Sequence, residues 1–251
     1  MQIRLHPDKA ALGAAAAAEG LAAINRALAD RGRAVIILAT GASQFEMLAD
    51  LTAADVDWSR ITIFHLDEYI GLPDTHPASF RKYLRERVLA KLPVAPESFV
   101  EINGEAADIA AEIARLNGLL SRETVDVCFA GIGENGHLAF NDPPADFEVS
   151  DPYIRVRLDD ACRRQQMGEG WFATVDDVPP EAISMSIREI MRSRKLIVLA
   201  PETRKAVAVR NTVEGEVSPF VPASIIQRHE DCTLHLDDAS AALLDPATIR
   251  R

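Results

Sequence analysis

Positive charge is scarce in this chain. Its 27 lysines and arginines face 38 aspartates and glutamates, a formal net charge of −11. That balance argues against nucleic acid as the main partner, because phosphate backbones are held by basic surfaces. A small anionic substrate stays open, since it needs only a local positive pocket. Cysteine is scarce too. Cys128, Cys162 and Cys232 are odd in number, far apart and form no C-x-x-C, which argues against a disulfide framework or a zinc site and fits a reducing compartment. His6, His65, His76, His137, His229 and His235 lack a ligand spacing such as H-E-x-x-H, so no metal is expected. No apolar run is long enough to span a membrane. The alanine run in "KAALGAAAAAEGLAAI" lies between Lys9 and Glu19, contains Gly13 and continues into an amphipathic pattern with Leu21, Ile24 and Leu28. It reads as an alanine-rich helix packed closely on a sheet rather than a signal-peptide core. A cytoplasmic location is expected. Repeats, low-complexity linkers and long single-sign charge runs are also lacking, so residues 1–251 read as one domain, long enough to bury a sizeable core.

What the chain does have is an alternation of short apolar runs and longer helical patterns. Residues 34–40, 61–67, 125–133, 195–200 and 232–237 read as buried strands, and "YIRVRL" (153–158) as an edge or half-exposed strand. Helices are expected at 8–31, 43–53, 77–91, 105–122, 179–192, 202–214 and 222–228. Continuous apolar strands joined by helices imply a doubly wound α/β fold. Its sheet is mostly parallel with helices on both faces, a Rossmann-like three-layer sandwich. Ligands of such sheets bind beyond the carboxyl ends of the strands, so the residues following each strand are the informative ones.

After the first run, Thr40, Gly41, Ala42 and Ser43 turn from strand into helix. Free N–H groups and a helix dipole there suit a phosphate; alternatively Ser43 simply caps its helix. The segment is not a P-loop, because no Gly-Lys-Ser/Thr follows. After the second run come Asp67 and Glu68. Neighbours on a strand point to opposite faces, so one is expected to face the cleft. Asp67 at the strand terminus suits a general base, unless both merely bond nearby backbone N–H groups. After the third comes "GIGENGHLAFNDPP", in which Gly131, Gly133 and Gly136 surround His137, with Asn135 and Asp142 near enough to orient the ring. A histidine titrating near neutrality can move a proton either way, or can simply bond the loop's backbone. After the fourth, Arg204 and Lys205 open a helix, where cations oppose the dipole; a nearby anion would offset that cost. Together the pieces suit proton transfers on a phosphorylated sugar.

"LDEYIGLPDTHPASF" and "GIGENGHLAFNDP" closely resemble two ordered motifs of the glucosamine-6-phosphate deaminase/isomerase family, which is related in fold to the 6-phosphogluconolactonases. The resemblance covers nearly the whole chain, and Tyr69 favours the deaminase branch. It implies ring opening assisted by His137, proton transfer between C1 and C2 by Asp67, and loss of ammonia to give fructose 6-phosphate. It implies phosphate held by Gly41 to Ser43 and by Lys205, and no metal or organic cofactor; Gly136, which leaves the space beside His137 open, is a further candidate for substrate binding. The partner is then a small sugar phosphate; homo-oligomerisation is compatible with it, and no allosteric site carries over through 145–158.

Three positions depart from the family pattern. Asn135 stands where an aspartate is usual and Asp142 where a glutamate is. Gly170 precedes Trp171–Phe172 where an arginine usually meets phosphate, with Arg163 or Arg164 as the expected replacement. Asn135 can accept a hydrogen bond from an imidazole N–H but cannot stabilise imidazolium by charge, so a less basic His137 is expected. These departures leave two alternatives open: an isomerase or lactonase acting on a non-amino sugar phosphate, and a non-catalytic sugar-phosphate binding protein. The second is disfavoured, because no DNA-binding extension is read in the chain.

Overall fold

The computed structural model describes residues 1–249. The chain runs β1 (Gln2–His6), α1 (Lys9–Arg31), β2 (Ala34–Leu38), α2 (Phe45–Ala53), β3 (Ile61–His65), β4 (Asp67–Tyr69), α3 (Phe80–Arg87), β5 (Ser98–Phe99) and α4 (Ile109–Leu120). It continues through β6 (Val127–Gly131), β7 (Tyr153–Arg157), α5 (Asp160–Gly168), β8 (Glu181–Met185), α6 (Ile187–Met191), β9 (Lys195–Leu199), α7 (Ala206–Glu214), β10 (Cys232–Asp237) and α8 (Pro246–Ile249). No helix among the described residues is long and apolar enough to cross a membrane.

A seven-stranded sheet has the order β1-β10-β9-β6-β2-β3-β5, with every neighbouring pair parallel. Alternate side chains of the central strands β2 and β6 feed two cores. Ile36, Leu38, Val127 and Phe129 meet α1, α2 and α3 on one face. Val35, Ile37, Cys128 and Ala130 meet α4, α6 and α7 on the other. Such two-sided burial is why these strands are apolar throughout. From β2 the chain steps outward to β3 and β5, and from β6 it steps the opposite way to β9 and β10. The reversal opens a crevice beyond the carboxyl ends of β2 and β6.

Several elements differ from expectation. Residues 181–185 are strand, not helix. Pro179 and Pro180 break any helix from the left, and β8 fills the middle of a three-stranded antiparallel sheet, β4-β8-β7. That pairing overrides the helical pattern until α6 begins at Ile187 behind its Ser186 cap. β1 and α5 were not anticipated, and residues 222–228 form a 3-10 rather than an α-helix.

The alanine-rich α1 starts where Asp8 accepts the Ala11 N–H and stops at Gly32, which takes the left-handed conformation. Its small residues allow close approach to the sheet. A Cβ on Gly20 would lie 2.2 Å from Cζ of Phe129, a fully buried ring with no room to swing. Gly20→Ala is therefore expected to destabilise the fold by about 1–3 kcal/mol through overpacking, despite alanine's better helix propensity. Equilibrium unfolding in denaturant measures it.

Candidate active site

Four loops reach the crevice between β2 and β6. Thr40, Gly41, Ala42, Ser43 and Gln44 come from the end of β2, Leu66 and Asp67 from the start of β4, Gly131 to Gly133 with His137, Ala139 and Phe140 from the end of β6, and Lys205 from the turn before α7. A fifth contribution comes from α5, whose Gln165, Gln166 and Glu169 close the cavity.

At the β2 end, Gly41 has φ +97°, which an L side chain rarely adopts. Its carbonyl accepts the Tyr83 hydroxyl at 2.9 Å, fixing the turn. Gln44 is fully buried behind it, and its Oε1 has no partner among the described residues. Lys205 is 3 % exposed and is the one cation lining the cavity among the described residues. Burial pushes it down to about 8, with Arg204 adding to the fall and Glu169, Glu134 and Glu202 opposing it.

Asp67 and Glu68 point to opposite sides, as adjacent strand residues must. Glu68 is fully buried and accepts the N–H groups of Tyr69, Phe80 and Arg81, the Ser79 hydroxyl and the Arg81 Nε. Asp67 lines the cavity, and its carboxylate accepts no hydrogen bond from the described residues. Burial, with the Glu68 carboxylate beside it, raises the Asp67 carboxyl well above the usual range. A carboxylate so raised is a stronger base than a solvated one.

His65 holds the Asp67 backbone. Its Nε2 accepts the Ile102 N–H at 2.9 Å, so Nδ1 carries the proton and donates to the Asp67 carbonyl at 3.0 Å. Burial drives His65 down to about 3, aided by Arg81 and opposed by the Asp67 carbonyl. His235 is likewise pushed down to about 4 by burial, against the pull of Glu19. With folded values below the unfolded one, the unfolded chain binds more protons as the solution acidifies. The stability these neutral rings contribute is full above pH about 6.5 and is lost as pH falls towards their folded values of about 4 and about 3. Thermal unfolding is expected to show Tm falling steadily over that window. A flat Tm would contradict neutral buried imidazoles.

The His137 ring lies over Gly133. A Cβ there would sit 2.3–2.4 Å from three ring atoms, so the glycine is what lets the ring seat. His137 Nδ1 is 3.2 Å from Asp142 Oδ1, although off the direction of a well-formed hydrogen bond. Burial would raise the Asp142 carboxyl. Contacts from His137 and Asn135 and the Asp159 N–H outweigh that and hold it below the usual range. Asn135 does not touch the imidazole. Its Oδ1 accepts the His137 backbone N–H, and its Nδ2 donates to Asp142 and Asp159. The carboxylate beside the ring is therefore Asp142, and Asn135 acts on His137 through its backbone and on Asp142 through its amide. Ligand atoms of His137, Asp142 and Cys162 lie within 4.8 Å of one another, a set that could hold a metal ion. Burial raises the Cys162 thiol, and the Asp142 oxygens already serve Asn135 and Asp159.

Two expected ligand contacts fall elsewhere. Arg164 sits on the exposed face of α5 and lines a neighbouring depression with Asn135, Glu134 and Arg204, not the cavity. Arg163 bonds the carbonyls of Val175 and Val178. The helix turns Gln165 and Glu169 inward at i, i+4 and so turns Arg164 away. Gly136, at φ +85°, shapes the loop against Val221 rather than lining the cavity.

A family model, described as glucosamine-6-phosphate isomerases/6-phosphogluconolactonase, matches residues 7–235. The chain belongs to this family. A relative from Listeria innocua named glucosamine-6-phosphate deaminase is 40% identical over 207 residues, spanning 82% of this chain and 86% of the relative. Another of that name from Streptococcus equi is 34% identical over 215 residues, spanning 86% and 89%. Among solved structures, a monomeric glucosamine-6-phosphate deaminase superposes with TM-score 0.88 at 31% identity, covering 97% of this chain and all of the other. The 6-phosphogluconolactonase of Trypanosoma brucei shares the fold at TM-score 0.76 and 17% identity, covering 97% and 98%.

Within this member of the isomerase/lactonase family, the sequence left out Gln44, Gln165, Gln166 and Glu169. Gln166 is buried, and its Oε1 accepts the Tyr69 hydroxyl at 2.8 Å. The amide nitrogen then carries the donors left for a ligand. Asp159 caps α5 by accepting the Cys162 N–H, so the pair Asp159–Asp160 was the available signal for that helix.

Proposed function

We propose that this protein isomerises and deaminates an amino-sugar phosphate, converting glucosamine 6-phosphate or a close epimer, with water, to fructose 6-phosphate and ammonia. One observation carries the reading. Asp67, whose carboxylate has no hydrogen-bond partner among the described residues and is made basic by burial, opens onto the same cavity as Lys205 and His137, the ring that neighbours Asp142. Relatives 34–40% identical that bear the deaminase name support it.

In this reading the N–H groups of the Gly41–Ser43 turn and the Lys205 ammonium anchor the phosphate. His137, supported by Asp142, shuttles the O1 proton to the ring oxygen and opens the ring. Asp67 then removes the C2 proton while O1 is protonated from His137, giving a C1–C2 enolamine. Asp67 returns its proton to C1, leaving an iminium at C2. Water adds there, ammonia leaves and the released proton returns to His137. Ammonia release measured across a panel of amino-sugar phosphates tests this. Turnover of an unaminated phosphosugar or a lactone, with no ammonia from any member, would overturn it.

Lys205 adds a pH signature. Its charge is present below about 8 and lost above it. The KM for the sugar phosphate is expected to rise as pH passes that value. Lys205→Ala is expected to raise KM by about 10- to 100-fold, the worth of one hydrogen bond to a charged group, and to abolish the pH step. Initial-rate kinetics over a pH series check both.

A further inference from the structure

The anion end of the cavity carries a carboxylate that phosphate binding does not require. Outside Gly41 and its two chain neighbours, Glu169 Oε2 is the one heavy atom among the described residues within 4 Å of a Cβ placed at Gly41, at 4.0 Å. The Glu169 side chain is 11 % exposed. Its support is loose: Oε1 is 3.4 Å from Gln165 Nε2 and 3.7 Å from Arg204 Nη1. Glu169 also caps the carboxyl end of α5, where a negative charge opposes the helix dipole. Neither its pairing nor its place in the helix therefore explains an acid here. Its effect falls on the ligand, because the cavity's charged lining is Asp67, Glu169 and Lys205 beside His137, and a dianionic phosphate at Gly41 meets a like charge across a narrow gap.

We propose that Glu169 is a specificity-determining residue: facing Gly41, its carboxylate weakens every anion held by the cradle alone. A phosphate carried on a sugar is accepted because the sugar end supplies further binding, while free inorganic phosphate is rejected. The inference rests on the reading of Gly41–Ser43 and Lys205 as the phosphate site.

The test uses the full chain at fixed low ionic strength, with inorganic phosphate, glucosamine and glucosamine 6-phosphate as probes. It reads dissociation constants by calorimetry and thermal shift. Glu169→Gln is expected to tighten inorganic phosphate by about tenfold or more and to leave glucosamine unchanged, while Glu169→Asp, which keeps the charge, stays near the wild type. If Glu169→Gln does not fold, Glu169→Ala supplies the same loss of charge. Should the sugar phosphate bind the wild type while the neutral variants hold inorganic phosphate no more tightly, the role given to Glu169 is wrong and the phosphate site stands. Should neither phosphate ligand bind wild type or variant, the phosphate site itself is wrong and the proposal falls with it.

Discussion

Asp67→Asn is expected to lower turnover by about 100- to 10,000-fold, the range for loss of a general base, while binding of the sugar phosphate stays within a few-fold of wild type. Asparagine is nearly isosteric and can still accept a hydrogen bond, but it cannot take a proton from carbon. In the proposed reading the phosphate is anchored elsewhere, at Gly41–Ser43 and Lys205, so the loss belongs in kcat rather than KM. The same substitution is expected to raise the melting temperature. The Asp67 carboxyl is lifted well above its usual range by burial and by Glu68, so its folded value lies above the unfolded one. The stability tied to that group is full at low pH and is lost as pH rises through the folded value. A neutral side chain removes that loss near neutrality. Stability gained as activity falls is the signature of a group placed for chemistry rather than for the fold. A variant that binds poorly, or melts lower than wild type, would assign Asp67 a recognition or structural role instead.

The sequence made the central sheet readable because its strands are buried on both faces, so residues 34–38, 61–65, 127–131, 195–199 and 232–237 appear as largely apolar runs, interrupted by Thr62, His65, Lys195, Thr233, His235 and Asp237. The elements it hid are those that physics marks less plainly. β1, "QIRLH", is a half-exposed edge with no apolar run. β8 is short and follows two prolines, and its strand character comes from pairing with β4 and β7 rather than from its own residues. α5 is largely polar because most of it faces solvent or the cavity. The same division holds at the site. Thr40 to Ser43, Asp67, His137 and Lys205 could be nominated because they follow strands, and a doubly wound sheet gathers those ends at one crevice. Gln165, Gln166 and Glu169 arrive from a helix that only the fold brings near. Asn135 shows the limit of adjacency: two residues from His137, it bonds that residue's backbone and not its ring.

Glu68→Ala is expected to cost about 3–5 kcal/mol of stability, the penalty for stranding one member of a buried ion pair. Glu68 is fully buried, and Arg81 beside it is 5 % exposed. Without the carboxylate, the N–H groups of Tyr69, Phe80 and Arg81 lose their acceptor along with the Ser79 hydroxyl. Arg81 would keep contacts to the Leu72 carbonyl and to Glu105, whose side chain is 41 % exposed. Those contacts offset only part of the desolvation of a buried guanidinium. The consequence reaches function through the backbone, because Glu68 ties the start of α3 to β4, and β4 sets the position of Asp67. Arg81→Met separates the two contributions. If the buried pair is worth less than its desolvation, that variant with Glu68→Gln regains much of the stability lost by Glu68→Ala. The backbone N–H groups then still find the amide oxygen. Denaturant unfolding of Glu68→Gln, Arg81→Met and the double variant gives the coupling directly. A cost for Glu68→Ala within experimental error of zero would show that the Glu68 cluster does not hold the β4 turn, and that the position of Asp67 is set by His65 and by β8 alone.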